Sequence, residues 1–422
     1  MTHYALICPP FHSHVRVFEA IGEALLARGH RVTFVVNAGA GALVRAAGIE
    51  VEEVEERGWR TLEARREPGG LFGILRTVRD GAERTAALCE GGPAILRRIG
   101  AEALLGDQME PAAGLLAEHL ALPFLSVASA LPIDPDPSLP SPFVGWRYDP
   151  TPEGLKRNRG GERISRLLLH RQREAIRVAA LEFGLPPRDR MDECLSPLAT
   201  LAQTVPGFDF PRRASARHFA LGPFRTGADA LAPSLVLPFE RRPGAPLVFA
   251  SLGTLQGHRV AIFRAVARAC RALGCQLVVA HCGRLGAADA ASIEADFVTD
   301  FVPQRAMMRE ADICVSHAGL NTVLDALEAG VPVLAVPIGY DQPGVAARLV
   351  HHGVGLRLRR RRLTASTLEA ALARLIGEAS FARNAAAIGA EIAASGGAAA
   401  AAEIAERLAG APARPRRALE PA

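Results

Sequence analysis

Tyr4-Ala5-Leu6-Ile7-Cys8, then Val15, Phe18, Ile21 and Leu25 at helical spacing, then Gly29, then Arg31-Val32-Thr33-Phe34-Val35-Val36: this opening stretch decides the fold. A short apolar run, an apolar stripe of helical period, a glycine that stops it and a second apolar run make one βαβ unit. Its two strands must lie parallel, joined by a right-handed crossover. Further strand candidates follow at 49–54, 103–105 and 123–127, with helical stretches between them. The solution for such alternation is a doubly wound parallel sheet.

Outward from that unit, residues 131–152 turn proline-rich and read as an extended surface loop, and 160–183 reads as one helix. Residues 225–245 are loose in composition and make the best linker. The alternation then restarts, with strands expected at 247–250, 276–281, 313–316 and 332–336. The expected architecture is α/β, with two Rossmann-like doubly wound domains facing across a cleft. The first spans 1–224, 225–245 links, and 246–380 forms the second domain. An Ala-rich helical tail over 381–422 ends in an Arg/Pro segment expected to fray. Ligands bind in such interdomain clefts, at the carboxyl edges of the strands.

Composition supports two ordinary cores. The 422 residues are 49% hydrophobic and 22% charged, with 40 Gly and 30 Pro, which excludes disordered and collagen-like chains. Only one of the 49 basic residues is a lysine, Lys156, in a context that suits neither a Schiff base nor a GxxxxGK phosphate loop. Seven scattered cysteines without a CxxC pair read as reduced, buried thiols. No basic region precedes an apolar stretch at the start, and the apolar run 119–133 is broken by Pro123 and Pro132. A cytoplasmic protein is expected, with the net charge of +5 allowing attraction to an anionic surface.

The densest chemical signal is Phe301-Val302-Pro303-Gln304, then Ser316-His317-Ala318-Gly319-Leu320-Asn321-Thr322, Asp325, Gly330-Val331-Pro332, Pro337 and Asp341-Gln342. Ser316-His317 ends a buried strand, and Gly319 to Thr322 opens a helix. Free backbone N–H groups at a helix start form a ready anion site, and a diphosphate suits it. His317, Asn321 and Thr322 add side-chain donors. Singly, Asn321 or Thr322 reads equally as a helix cap and His317 as a strand-end histidine.

In combination these residues resemble the donor signature of the family 1, nucleotide-sugar-dependent glycosyltransferases of the two-Rossmann (GT-B) type. Phe301 stands where plant members carry Trp, and Asp325 where Glu is commoner. The resemblance implies that Phe301 and the backbone of Val302 and Gln304 hold uracil, and that Asp325 meets the ribose. It assigns the diphosphate to His317, Gly319, Asn321 and Thr322, and sugar hydroxyls to Asp341 and Gln342. Ser251-Leu252-Gly253-Thr254 looks like the second phosphate-side loop; alone, it reads as an ordinary strand-to-helix turn.

The first half should then supply the base. Cys8-Pro9-Pro10-Phe11-His12-Ser13-His14-Val15 follows the first strand, and histidine is the side chain that takes a hydroxyl proton near neutral pH. By the resemblance His14 is that base, with His12 as rival, and Asp107 the carboxylate that orients it. Asp107 alone reads equally as a cap near Pro111. Asp134-Pro135-Asp136 looks like a metal-binding DxD, but it lies in the proline-rich loop, and the helix start already does a cation's work. No metal and no other cofactor is expected, UDP-glucose being a co-substrate.

The stretches around Pro9 to Arg16 and Ser129 to Pro142 resemble bacterial zeaxanthin glucosyltransferases, which implies an inverting transfer of glucose to the hydroxyls of a carotenoid. A macrolide or polyketide transferase using a nucleotide deoxysugar, or a non-catalytic nucleotide-sugar-binding partner protein, are the alternatives. Lys156, Arg157, Arg159, Arg163, Arg166, Arg171, Arg173 and Arg177 face only Glu162 and Glu174. That segment suits either a peripheral contact with the inner membrane face or a solvated helix. Arg359 to Arg362, without interleaved aromatics, does not argue for nucleic acid.

Overall fold

The alternation of short buried strands and amphipathic helices builds two parallel sheets. A computed structural model describes residues 1–55, 71–227 and 235–410. Strands β1 (His3–Ile7), β2 (Arg31–Asn37), β3 (Glu50–Val54), β4 (Ala103–Asp107), β5 (Phe124–Ala128), β6 (Thr200–Ala202) and β7 (His218–Ala220) form the first sheet. Their order is β3-β2-β1-β4-β5-β6-β7. Strands β8 (Leu247–Ser251), β9 (Gln276–Ala280), β10 (Phe297–Thr299), β11 (Ile313–Ser316), β12 (Val333–Ala335) and β13 (Gly355–Arg357) form the second, in the order β10-β9-β8-β11-β12-β13. Every neighbouring pair is parallel.

The central strands of each sheet are covered on both faces and are apolar without alternation, whereas the edge strand β3, Glu50-Val51-Glu52-Glu53-Val54, is largely exposed. Tyr4 and Leu6 of β1 pack in a core shared with Val15, Phe18 and Leu25 of the helix His12–Ala27. Ala5 and Ile7 point the other way, against Leu88 and Leu96 of the helix Leu71–Ile99. The helix His12–Ala27 ends as its sequence predicts: Gly29, at φ +83°, carries the backbone round so that its N–H reaches the Leu26 carbonyl at 2.9 Å.

Three features depart from the expectations. The single helix expected over 160–183 is two, Pro152–Leu168 and His170–Glu182, the first beginning under a Thr151 cap. The linker is less loose than its composition: Leu235, Leu237 and Phe239 pack against the second core, while 228–234 lie outside the described residues. The tail is two helices with different partners. Ser380–Ala393 lies on the second domain, where a Cβ on Gly389 would come 2.3 Å from the Leu327 carbonyl. Gly397–Ala409 returns to the first, burying Ala401, Ala402, Ile404 and Ala405 against the core of β1 and the helix His12–Ala27. The return runs beside the outgoing chain, with the Gly397 N–H donating to the Leu221 carbonyl at 2.7 Å. The expected Arg/Pro fray over 411–422 lies outside the described residues.

The domains share packing as well as chain. Leu131, Val205 and Phe208 of the first belong to a core cluster of the second. Each strand order reverses once, between β1 and β4 in the first sheet and between β8 and β11 in the second. Those reversal points, where crossovers leave to opposite sides and open a crevice, are where open α/β sheets bind ligands.

Candidate active site

Both reversal points carry the residues singled out in the sequence. In the first sheet Ile7 pairs with Gly106, which sets the loop after β1 beside the end of β4. His14 sits in the first turn after that loop and Asp107 is the last residue of β4. His14 Nδ1 and Asp107 Oδ2 are 2.7 Å apart. A carboxylate only accepts, so Nδ1 carries the proton and Nε2 keeps its lone pair. Asp107, 2% exposed, also accepts from Ser129 Oγ at 2.6 Å and from the Met109 N–H at 2.8 Å. Burial alone would lower the pKa of His14, but the charge and hydrogen bond of Asp107, with the charge of Asp341, raise it above the usual value. Of the two histidines in this loop, His14 is the one that meets the carboxylate.

In the second sheet Ser316 pairs with Ser251, so the loops after β11 and β8 lie side by side. The His317 ring rests between two glycines. A Cβ on Gly253, itself at φ +69°, would stand 2.7 Å from Cε1, and one on Gly319 2.6 Å from Nε2. Burial pushes the His317 pKa down to about 4, with the Ser251 backbone opposing weakly. The ring is therefore a neutral donor at pH 7. The helix Leu320–Glu328 starts at Gly319 with no side-chain cap, which leaves its first N–H groups for a ligand. Thr254 lies half-buried in the helical turn Gly253–Gln256 after β8.

The residues expected at the nucleoside lie alongside. Phe301, 67% exposed, presents an open ring face. Gln304 Nε2 donates to Asp325 Oδ2 at 2.6 Å, and Thr322 Oγ1 donates to Gln304 Oε1 at 3.3 Å. The Thr322 hydroxyl is thus engaged by Gln304 within the protein. Val302 is half-buried against the second core. Asp325 forms an ion pair with Arg225, which also holds Glu328 at 2.9 Å. Burial raises the pKa of Asp325, with Arg225 opposing.

The two halves meet across the cleft. Asn321 Nδ2 donates to the Ser13 carbonyl at 3.3 Å, one residue from His14, while Asn321 Oδ1 accepts from Gln203 Nε2 at 2.7 Å. Asp341 Oδ2 accepts from the Leu131 N–H at 3.2 Å, and burial raises its pKa. Gln342 Oε1 accepts from the N–H groups of Ile338 at 2.8 Å and Gly339 at 2.9 Å. Only its amide nitrogen is left for a sugar hydroxyl. Asp134 accepts from Thr200 Oγ1 of β6 at 2.7 Å and lies 3.4 Å from His218 of β7, and Asp136 accepts from Ser138 Oγ at 2.5 Å and the Arg213 N–H at 3.0 Å, so both carboxylates are engaged within the protein.

A model of the erythromycin biosynthesis protein CIII-like C-terminal domain matches residues 274–410. The zeaxanthin glucosyltransferase of Pseudescherichia vulneris is 40% identical over 96% of this chain and 98% of its own length. That of Pantoea ananas is 36% identical over 97% and 96%. The chain belongs to the family 1, GT-B glycosyltransferases. The fold agrees: the solved glycosyltransferase of kitacinnamycin superposes with a TM-score of 0.74 at 19% identity, covering 96% of this chain and 98% of that one. The calicheamicin glycosyltransferase does so with 0.74 at 20%, covering 97% and 98%.

Three residues of this glycosyltransferase's cleft escaped the sequence reading. Ser129 shares Asp107 with the histidine, Gln203 ties Asn321 to the first domain, and Arg225 pairs with Asp325. Ser129 and Gln203 each follow a strand, β5 or β6, at the same sheet edge, and that position is their one legible signal.

Proposed function

We propose that this hexosyltransferase moves glucose from UDP-glucose to a hydroxyl of a carotenoid such as zeaxanthin, with inversion at the sugar. The observation that carries the reading is the His14–Asp107 pair, set one residue from the backbone that Asn321 reaches across the cleft. His14 Nε2 takes the acceptor proton as the acceptor oxygen bonds to the anomeric carbon. The bond from that carbon to the diphosphate oxygen breaks on the opposite face. The pair of electrons leaves on UDP, where the helix start at Gly319 and the neutral His317 donate to the growing charge. Asp107 stabilises the imidazolium until its proton passes to solvent. This chemistry uses no metal and no further cofactor. Phe301 stacks on uracil, Asp325 and Gln304 take the ribose, and Asp341 with the Gln342 amide takes the sugar.

Support for the acceptor comes from the near-full-length zeaxanthin glucosyltransferase relatives. An acceptor of that kind dissolves in lipid, which supports an encounter from the cytoplasm at the inner face of the membrane. The test is incubation with UDP-glucose and a panel of hydroxylated carotenoids and polyketides, followed by mass spectrometry. One added hexose per carotenoid hydroxyl is expected; turnover of polyketides alone overturns the acceptor. His14→Ala should lower kcat by about 10³-fold, the scale of general-base catalysis, while UDP affinity by calorimetry stays within about twofold.

A further inference from the structure

The basic run singled out in the sequence has a structural partner that the active site does not use. The helix His170–Glu182 lies along Leu71–Ile99, joined where Gln172 Nε2 donates to Thr85 Oγ1 at 2.9 Å. Toward the start of Leu71–Ile99 that packing gives way to an open groove of about 640 Å³ lined by Phe72, Leu75, Val78, Leu167 and Leu168. Phe72 is 82% exposed and Leu167 76%, and Ile74 and Ile164 are exposed nearby. Large apolar side chains shown together in this way mark a contact surface. Arg76, Arg79 and Arg171 rim the groove. Among the described residues Arg76 and Arg171 pair with no carboxylate, and Lys156, Arg159 and Arg163 stand exposed on the adjoining helix.

We propose that this arginine-rimmed groove docks the protein on an anionic lipid bilayer. Apolar side chains ringed by cations match the boundary between acyl chains and anionic headgroups. Each such cation near an anionic leaflet strengthens binding roughly fivefold. The placement also suits the acceptor, on which this step rests. From Leu75 to Arg84 the helix advances about 14 Å. The Arg84 guanidinium lies 5.5 Å from the Phe11 ring centre, and that ring lies 5.7 Å from the ring of His14. One helix thus runs from the docking groove to the base.

Flotation with vesicles of phosphatidylcholine alone, or mixed with phosphatidylglycerol, reads the surface directly. Wild-type protein should bind the anionic vesicles at low salt and release at high salt. Phe72→Asp with Leu167→Asp, and separately Arg76→Glu with Arg171→Glu, should each weaken partition at least tenfold while UDP binding is kept. Absence of wild-type binding to anionic vesicles, or variants that bind like wild type, overturns the proposal. So does a dimer in solution that these substitutions dissolve, which assigns the groove to a second copy of the chain. Vesicle binding without glucosylation of any carotenoid upholds the docking surface and removes the acceptor. Glucosylation in detergent micelles without vesicle binding does the reverse.

Discussion

His14 shows how much of this enzyme is set by one shared carboxylate oxygen. Asp107 Oδ2 accepts from both the His14 ring and Ser129; burial lowers the pKa of His14, and the charge and hydrogen bond of Asp107, with the charge of Asp341, outweigh it and leave the value raised. The base works only when neutral, so kcat/KM should fall as pH drops through that raised value, above the ordinary histidine value of about 6.5. Asp107→Asn removes the charge that raises it. The acid limb of the pH profile should therefore move to lower pH while the plateau falls about 10²-fold. An acid limb that stays in place would show that another group titrates. At this scale the sequence was legible where a motif has fixed spacing, as from His317 to Asp325. Arg225 was not legible, because its partner Asp325 is distant in sequence and reached only through the fold.

Among the elements, strands β1 to β5, β8, β9, β11 and β12 could be read directly. Of the three-residue strands, β12 could be read because it lies within the longer apolar run 332–336, while β6, β7, β10 and β13 could not. Segments so short carry no periodicity, and only their neighbours in the sheet make them strands. The last helix is a different case. Its alanine-rich sequence announces a helix and says nothing of which domain it joins, since small side chains fit closely against any apolar face. The helix Gly397–Ala409 completes the core of the first domain, and Ile404→Ala should cost about 2–3 kcal/mol in urea unfolding. A change near zero would mean that this helix is a loosely attached tail.

For the whole molecule, the domain interface carries its own charge pair. Asp209 of the first domain and Arg348 of the second meet at 2.6 Å, both buried, with Arg348 over the Phe210 ring at 4.3 Å and Arg212 on the other carboxylate oxygen. Burial opposes ionisation of Asp209, yet the two guanidinium groups hold its pKa at about 2. A depressed folded value contributes stability above the unfolded value of about 4, and that contribution is lost as pH falls from there to about 2. Asp209→Asn strands a buried cation and should cost about 3–5 kcal/mol at neutral pH, with the deficit shrinking near pH 2 in urea titrations. A deficit independent of pH would assign the loss to packing. The chain also crosses between domains twice at neighbouring points, the outgoing passage at Leu221–Gly222 touching the return at Ser395–Gly397. Two side-by-side crossings resist torsion of one half against the other, so the turn that carries His14 keeps its bearing on the helix start at Gly319. They also mean that a gene cut at the linker yields a front half missing its own last helix, which must be supplied in trans before that half can fold.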